Sequence, residues 1–537
     1  MKKTLLFIMM LLPIAVSAAE IDGINFSLDS KTKTAKVIRK TYRGEVVIPK
    51  SIVYKNVTYT VTAIDNYAFQ SCKGLTSVSI PNSVTSIRSC AFDGCSGLLS
   101  LTIPNSVTEI LGGAFANCSS LSAIIIPNSV VSIGGDAFKN CTSLTSITFG
   151  KGLTTIGKYA FGGCSSLQSV SIPDNVKTIK STAFDGCSSL TSVTIGNGVT
   201  EILANTFHGC TNLTSVIIGN NVTSISGFGL CKGLRTLTIP NGVTTIISYT
   251  FQECRGLSSI FIPSSVTSIG SYAFNYCESL TSVIVDIQEP ISIGYGTFYR
   301  AGGSLKATLY VPRGCAGAYA KASIWKSFYS IKEFVKKGDV VYTIDGPNTV
   351  TAKAPTDPTI KDAVIPKSIN IDGVDYTVTA IDKEAFIHKK TLTVASIPES
   401  INAIGNSAFA GCSGLKAIYS YAENPIALGS SDGDENTAST VFADVDKQNC
   451  ILYVPKNSIN KYSIADGWKE FLNIVEIKSE SPYDANNDGK FDINDIYAIV
   501  DYIMLGKTDG FIFRKADANG DNKVDAADIV EIVDKIK

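Results

Sequence analysis

Hydrophobic and polar residues alternate over short stretches of this chain, and the alternation recurs at a fixed interval. In the copy that begins at Leu75, Val78 and Ile80 alternate with serines, which predicts a strand with one buried face. Pro81 then ends the strand, because proline has no N–H to donate to a neighbouring strand. A second short extended stretch and a tight turn follow before the pattern begins again.

Cysteines mark the copies of this pattern. Each lies three positions after a phenylalanine, and successive copies are 23 residues apart except for one interval of 21, from Cys210 to Cys231. The ten cysteines are Cys72, Cys95, Cys118, Cys141, Cys164, Cys187, Cys210, Cys231, Cys254 and Cys277. A period of this size indicates one supersecondary unit copied many times, with each copy burying its apolar edge against its neighbours. The sequence therefore predicts a β-rich α/β repeat solenoid with a parallel sheet and internal columns of Leu, Ile, Phe and Cys.

The cysteine ladder bears on disulfide bonding. Equivalent side chains of stacked strands lie close but point in parallel rather than at each other, so we expect free, buried thiols. Cys90, Cys315 and Cys450 lie off the ladder, and their pairing stays open at this stage.

The repeat phrases resemble those of the BspA-like leucine-rich repeat family. Its members carry Leu-x-x-Ile-x-Ile-Pro and Ala-Phe-x-x-Cys, and the resemblance covers roughly residues 64–285. It implies a leucine-rich repeat solenoid in an exported bacterial protein, with adhesion to host proteins, other bacteria or glycans as the expected role.

Segments of the first array recur later at one offset. Residues 47–51 recur as 364–368, and residues 60–65 recur as 377–382, both 317 positions further on. This offset predicts two modules, a first module over 20–335 and a shorter second module over 336–478.

The two tryptophans fall at the end of these modules. Leu-Tyr-Val-Pro precedes each of them, and Trp325 and Trp468 lie 13 residues after the proline. Because solenoids need caps over their last apolar faces, we expect each module to carry its own caps and both tryptophans to belong to them. A ligand-binding role for the two rings is the alternative.

The first 19 residues read as a secretory signal peptide. Lys2 and Lys3 precede an apolar run over 5–16, and small residues at Ala18 and Ala19 suit cleavage. The run is shorter than the roughly 20 residues that a membrane span needs, so we expect a secreted or cell-surface protein without membrane insertion. The 47 basic and 47 acidic residues balance, which gives no reason to expect a nucleic-acid partner.

Residues 479–537 contain two loops with the spacing of calcium ligands. Alternate positions of such a tight loop converge on one ion, and calcium takes six to eight oxygens. The first loop offers Asp484, Asn486, Asp488, Lys490, Asp492 and Asp495, and the second offers Asp517, Asn519, Asp521, Lys523, Asp525 and Asp528. The two lysines would contribute backbone carbonyls. We expect two Ca²⁺ ions.

Each calcium loop is followed by an apolar stripe of helical spacing. The stripes are Ile496, Ile499, Val500 and Ile503 after the first loop, and Ile529, Val533 and Ile536 after the second. A loop and helix occurring twice at the chain end resembles a type I dockerin domain, which implies a small calcium-dependent helical domain and a cohesin-like partner. The positions where cellulosomal dockerins often carry hydroxyls hold Ile493, Asn494, Ala526 and Ala527. A different cohesin-like partner and an internal contact with the solenoid are therefore the alternatives.

The chemistry of the side chains favours binding over catalysis. The two histidines, His208 and His388, lie near no nucleophile motif or zinc-ligand spacing, and we expect a protein that is not an enzyme. We expect contact with a host or bacterial surface protein or a glycan. The competing functions are a subunit, enzymatic or not, of an extracellular carbohydrate-degrading complex and a purely structural spacer.

The outward-facing row of the long sheet is the predicted contact surface. We call this the outward row: Ser79, Thr102, Ile125, Thr148, Ser171, Thr194, Ile217, Thr238, Phe261 and Ile284. Four apolar residues, Ile125, Ile217, Phe261 and Ile284, interrupt its hydroxyl groups and are the candidate ligand-binding residues. Ordinary strand propensity at scattered surface positions is the competing interpretation.

Overall fold

The structure is a computed structural model that describes residues 17–299, 306–429, 440–477, 484–486, 493–505, 511, 516–518 and 524–536. It is a parallel-sheet β-solenoid of leucine-rich-repeat type with few helices. The fold expected from the period of the sequence is thus confirmed. Residues 1–16 of the predicted signal peptide lie outside the described residues.

Antiparallel strands precede the first coil. These strands are β1 (Ser17–Ile21), β2 (Ile24–Asp29), β3 (Thr34–Val37), β4 (Gly44–Val47), β5 (Ser51–Tyr54) and β6 (Val57–Ile64). β1 pairs antiparallel with β2, and β2 with β3, whereas β3 and β6 are parallel. The change to parallel pairing at β6 begins the solenoid. Cleavage at the predicted signal site would remove the first residues of β1.

Each coil of the solenoid contributes one strand to a long sheet face and one to a short face. The long face holds β7 (Leu75–Ser79), β9 (Ser100–Leu101), β11 (Ala123–Ile125), β13 (Ser146–Thr148), β15 (Ser169–Ile172), β17 (Ser192–Ile195), β18 (Ser215–Ile218), β20 (Thr236–Thr238), β22 (Ser259–Ile262), β24 (Ser282–Val285), β25 (Thr308–Pro312) and β26 (Ser330–Lys337). The short face holds β8 (Ser86–Ile87), β10 (Glu109–Ile110), β12 (Ser132–Ile133), β14 (Thr155–Ile156), β16 (Thr178–Ile179), β19 (Ser224–Ile225), β21 (Thr245–Ile246) and β23 (Ser268–Ile269). Paired residues are one repeat apart, as Ile110 with Ile133, so equivalent side chains stack.

Phenylalanine and cysteine columns fill the interior of the coils. Neighbouring phenylalanine rings from Phe69 to Phe298 stack with centroids 4.7–5.8 Å apart. Each ladder thiol from Cys95 to Cys277 donates to the carbonyl of the phenylalanine in the preceding coil, as Cys141 Sγ does to Phe115 O at 3.2 Å. All fourteen cysteines are free, and burial raises the pKa of the Cys141 thiol to about 12. The expectation of unpaired thiols is confirmed, and it extends to Cys412 of the second stack and to the three cysteines off the ladder.

A second stack of coils follows the first. Its strands are β27 (Val340–Gly346), β28 (Thr349–Pro355), β29 (Asp362–Val364), β30 (Ser368–Ile371), β31 (Val374–Ile381), β32 (Val394–Ile397), β33 (Ala403–Ile404), β34 (Ala417–Ser420), β35 (Ala427–Leu428), β36 (Ile451–Val454) and β37 (Asn473–Glu476). The antiparallel run β26–β27–β28 followed by parallel β31 repeats the order seen at β1–β2–β3–β6. We call the described residues from 17 to 337 the first segment and those from 340 to 477 the second segment.

Each segment has its own hydrophobic core, and one sheet joins them. The first core runs from Ile24 to Phe328 and the second from Val340 to Phe471. An eleven-stranded sheet that starts at β20 passes from β26 to β27 and ends in the second segment. The sheet therefore continues from the long face of the first segment into the second segment.

Helical elements are short except at the carboxyl end. They are α1 (Ala316–Tyr319), a 3₁₀ turn (Trp325–Ser327), α2 (Ile459–Tyr462), α3 (Ile493–Leu505) and α4 (Ala526–Ile536). Within the described part of the chain, none of these helices has the length and apolar character of a membrane span.

Both tryptophans are buried at the end of a phenylalanine stack. Trp325 contacts Phe298 and donates from Nε1 to Ile291 O at 2.8 Å. Trp468 contacts Phe442 and donates from Nε1 to Ile426 O at 2.9 Å. Buried rings with satisfied N–H groups do not offer a surface to a ligand, so the alternative that they bind one is wrong.

Candidate functional site

The outward row is open at its amino-terminal end and covered at its carboxyl-terminal end. Its first six side chains, from Ser79 to Thr194, are exposed, and Ile125 has 68% of its surface accessible. Ile217 is only partly exposed. Phe261 is 3% exposed and Ile284 is fully buried. The prediction that Phe261 and Ile284 offer an exposed binding face is therefore wrong.

The second segment is what covers these residues. Phe261 and Ile284 form a small hydrophobic cluster with Phe334 and Val341, and Tyr310 packs against it. Phe334 lies on β26 and Val341 on β27, so the hairpin between the segments folds the second segment onto the outward row. Apolar residues in the row thus mark a contact within the chain, which periodicity alone does not distinguish from a contact with a partner.

Polar contacts surround this inter-segment cluster. Lys389 Nζ donates to Thr238 Oγ1 at 2.8 Å, and an Arg235 nitrogen lies 3.6 Å from Glu384 Oε1. Lys353 forms an ion pair with Asp382. A cavity of about 240 Å³ lies between Thr238, Lys353, Asp382, Glu384 and Lys389. Thr238 belongs to the outward row, but none of the charged interface residues was a sequence-based candidate, because no spacing sets them apart from other charged residues of the coil turns.

The Lys353 side chain links both segments. Its Nζ lies 4.4 Å from the centroid of the Tyr310 ring, which belongs to β25 of the first segment. Asp382 of the second segment, beside the same ammonium, raises the pKa of Lys353 against the effect of burial. A cation between a carboxylate and an aromatic face is held in place from both sides.

The calcium loops are described in part. Asp484, Asn486, Asp495, Asp517, Asp525 and Asp528 lie within the described residues, whereas Asp488, Lys490, Asp492, Asn519, Asp521 and Lys523 lie outside them. Among the described residues, no group of three or more His, Cys, Asp or Glu side chains has the arrangement of a metal site.

The described loop residues nevertheless fit a cation site. The side chains of Asp484, Asp495 and Asp528 are fully buried. Asp495 Oδ1 accepts from Asn486 N at 3.2 Å, and Asp528 Oδ2 accepts from Asp525 N at 2.9 Å, so the last position of each loop folds back on its own loop. Buried carboxylates need a compensating charge or donors, and calcium supplies such a charge.

Sequence comparison identifies the repeats. The family described as "BspA type Leucine rich repeat region" matches residues 50–148, 112–228, 226–313 and 362–427, which is more than half of the chain. The chain belongs to the BspA-type leucine-rich repeat family. No curated protein sequence matches it.

Several solved structures are similar to this BspA-type chain. A leucine-rich repeat protein from Bacteroides ovatus is 23% identical over 86% of this chain and 100% of that one, with a TM-score of 0.44. A leucine-rich cell surface protein from Faecalibacterium prausnitzii is 26% identical over 50% and 94% of the two chains, with a TM-score of 0.29. The pneumococcal vaccine antigen PcpA is 18% identical over 60% and 99%, with a TM-score of 0.38.

The helices beyond the BspA-type repeats pack on the second segment. Ile499 of α3 and Ile532 of α4 form a hydrophobic cluster with Val394, Tyr419 and Tyr453 of the second segment's sheet. The sequence left a cohesin-like partner and an internal contact with the solenoid as alternatives for this region. The internal contact is present.

The buried faces of these helices differ from the predicted stripes. Ile496 and Ile499 are buried as expected, but Val500 and Ile503 are exposed. On α4 the fully buried residue is Ile532, while Ile529 and Val533 pack at the edge of the cluster. The side chain of Ile536 lies outside the described residues. The sheet residues Val394, Tyr419 and Tyr453 thus contact only part of each predicted stripe.

The partly buried Lys389 side chain at the inter-segment contact should make the stability of this BspA-type protein depend on pH. Burial lowers the pKa of Lys389 to about 8, whereas an unfolded chain holds this proton to about pH 10.4. Between these values the unfolded state binds more protons, so the free energy of unfolding rises as the pH rises from 8 to 10.4. Lys389→Met should remove this rise and stabilise the protein at pH 7 by as much as about 3 kcal/mol.

Urea titrations across this pH range check the Lys389 prediction. Lys383→Met is the matched control, because Lys383 lies at the same contact and is exposed. A wild-type stability that stays flat between pH 8 and 10, or a destabilised Lys389→Met variant, would contradict it.

Proposed function

We propose that this is an exported, non-catalytic binding protein of the bacterial surface or medium that adheres to a protein or glycan through its solenoid. The observation that carries the proposal is the regular stack of coils with its continuous phenylalanine column. On the open half of the long sheet, this stack presents a row of exposed hydroxyls together with Ile125. Repeat arrays that stack in this way form extended binding surfaces. The signal-like first 19 residues and the BspA-type family support export and adhesion.

We also propose that the chain consists of two capped modules, over 20–335 and 336–478. The separate hydrophobic cores support this layout, as do the buried Trp325 and Trp468 at the two stack ends. A module that folds back on its neighbour would shorten the open sheet and restrict ligands to the remaining surface.

The proposed role of residues 479–537 is that of a dockerin-like calcium module. When bound, the two Ca²⁺ ions would neutralise the buried carboxylates of both loops. Asp495 and Asp528 would hold the start of each helix, since each sits at the last loop position and at the first turn of α3 or α4. A cohesin-like partner would then contact the outer face of α3, where Tyr497 and Met504 are exposed.

Calcium removal should unfold this carboxyl-terminal module and spare the solenoid. We expect chelation to abolish the helical part of the circular dichroism spectrum while the β signal and the main thermal transition stay unchanged. Asp495→Ala should lower calcium affinity at least tenfold by titration calorimetry, because it removes a buried ligand. Asp501→Asn, on the same helix but outside the loop, is the matched control. A spectrum that chelation leaves unchanged would contradict the calcium assignment.

Binding of the purified chain to surfaces tests the proposed function. Fluorescent beads coated with the whole chain should adhere to host epithelial cells or to other bacteria more strongly than beads coated with albumin. Adherence no stronger than that of albumin beads would favour the spacer. Turnover of plant or host glycans by the purified chain would instead favour the enzymatic subunit of a carbohydrate-degrading complex.

A further inference from the structure

The one short coil leaves a depression, which we call the notch, at the edge of the first segment where the tight turns of the coils lie. We call this edge the turn edge. Between Ile225 and Phe228 this coil has two residues fewer than its neighbours. Phe228 still stacks 5.5 Å from Phe207, and Cys231 Sγ still donates to Phe207 O at 3.3 Å, so the core columns continue without a break. The missing residues therefore open a depression at the surface only, with a volume of about 550 Å³.

The notch interrupts the backbone hydrogen bonds that join neighbouring turns. Tyr249 N donates to Ser271 O at 3.1 Å in the next coil. Among the described residues, the N–H of Asn205 and the C=O of Ser248 make no backbone bond of this kind, because the two missing residues would have carried their partners. Both Asn205 and Ser248 line the notch. It therefore offers a backbone donor on one wall and a backbone acceptor on the other.

Polar side chains complete the walls of the notch. His208 lies on the amino-terminal side, where its Nδ1 is 2.9 Å from Asp185 Oδ1, and Gln252 and Glu253 lie on the opposite side. Gly229 forms the floor and lies beside the His208 ring. The lining contains no lysine or arginine, and its surface is polar and apolar in about equal parts.

A cluster of tyrosines continues from one wall of the notch. The tyrosine cluster comprises Tyr249, Tyr272, Tyr276, Tyr295 and Tyr299. The rings of Tyr249 and Tyr272 stack with centroids 5.4 Å apart, and Tyr295 lies edge-on to Tyr272 at 5.7 Å. Tyr249 is 52% exposed and Tyr295 is 75% exposed. The rings therefore present a wide aromatic surface to solvent.

The backbone does not favour tyrosine at several of these positions. Tyr249, Tyr272 and Tyr276 have φ values of 63°, 59° and 56°, in the left-handed region where glycine or asparagine is easier to accommodate. Other coils place Gly113 or Asn140 at such positions. Tyr67 and Tyr159 hold the same left-handed position in other coils, so the cluster is distinguished by rings that contact each other across neighbouring coils and remain at least partly exposed.

We propose that the notch and the tyrosine cluster form a binding site for a neutral glycan chain. Sugar rings present C–H groups that stack on aromatic faces and hydroxyls that pair with amide, carboxylate and backbone groups, and the notch and cluster offer both kinds of partner side by side. The lack of lysine and arginine disfavours phosphate or sulfate chains, which need cationic partners. This inference rests on the proposed binding function and names its ligand class.

Glycan binding by the whole chain tests the site. The probes are cellohexaose, xylohexaose, mannohexaose, maltohexaose and lacto-N-hexaose, measured by titration calorimetry up to millimolar concentration. A heparin hexasaccharide and a decaproline peptide represent anionic glycans and extended peptides. We expect at least one neutral probe to bind, and the double variant Tyr249→Ala/Tyr272→Ala to weaken it by about tenfold or more.

Two further variants separate recognition from folding. Tyr67→Ala removes a tyrosine with the same left-handed backbone and similar exposure outside the cluster, and it should bind like the wild type. Inserting Asn-Ala between Gly227 and Phe228 restores the regular coil, which reads Ile-Gly-Asn-Ser-Ala-Phe at residues 404–409. This insertion should abolish binding without lowering the thermal midpoint, since it fills the notch and leaves the core columns intact.

Each other outcome overturns the glycan site. Neutral probes that all fail to bind, a preference for heparin or decaproline, or equal binding by the insertion variant would do so. Bead adherence then separates the two proposals, because adherence that persists without glycan binding leaves the binding function standing. Wild-type beads that adhere no more strongly than albumin beads would count against the binding function itself.

Discussion

Phe161→Ala is expected to lower the free energy of unfolding of the first segment by about 3–5 kcal/mol. Phe161 is fully buried in the middle of the phenylalanine column, with rings at 5.2 Å from Phe138 and 5.3 Å from Phe184. Truncation leaves a cavity that two neighbouring coils line, and the ladder bonds between coils prevent them from closing it. The ring thus stabilises three coils at once.

Urea unfolding followed by tyrosine and tryptophan fluorescence measures this loss. Tyr67→Ala is the control, since Tyr67 lies in an equivalent turn but is exposed, and its substitution should change stability by less than about 0.5 kcal/mol. A loss below about 1 kcal/mol for Phe161→Ala would show that the column does not carry the stability of the stack.

Ile284→Asp should release the second segment from the first. Ile284 is fully buried between Phe261 and the β26–β27 hairpin in an apolar cluster, and the nearby Lys353 already pairs with Asp382. Burying an unpaired charge costs several kcal/mol, more than this small cluster supplies, so the contact should open rather than accept it. The separate hydrophobic cores should keep both segments folded.

Limited proteolysis and small-angle scattering detect the release. We expect faster cleavage between β26 and β27, near Gly338, and a larger radius of gyration. Ile125→Asp is a matched control, because Ile125 occupies the same outward row at its open end. If Ile284→Asp changes neither the cleavage rate nor the radius of gyration, and thus behaves like Ile125→Asp, the segments are not held together through this row.

The repeating part of the fold could be predicted from the sequence because each position occurs many times. Ten copies of the Phe–Cys spacing fix which residues stack, and the observed columns from Phe69 to Phe298 agree with it. The free thiols followed from the same reasoning, since side chains in register point in parallel.

The burial of Phe261 and Ile284 could not be predicted in this way. Sequence periodicity states which side of a strand a residue is on, but not what lies beyond that side. The second segment returns onto the row through a hairpin near Gly338, where Val341 completes the apolar cluster. Charged contacts such as Arg235 with Glu384 accompany it, and their residues do not recur at the repeat spacing. The same limit applies to α3 and α4, whose buried faces depend on the sheet beneath them.

The notch was visible in the sequence as the 21-residue interval but had no assigned meaning there. Its walls come from three different coils, around Asn205, Gly229 and Tyr249, and only stacking brings them together. The tyrosine cluster likewise requires the register of the coils, because Tyr249 and Tyr272 are 23 positions apart.

Hydroxyl-radical footprinting of the free chain tests the central claim most directly, namely that the chain covers its own sheet at the second segment and leaves the turn edge open. We predict rapid oxidation of Tyr249 and Tyr295, and protection of Phe261 and Tyr310, which lies against the same cluster. Oxidation of Phe261 as fast as that of Tyr295 would contradict this arrangement and return the outward row to the set of open binding surfaces.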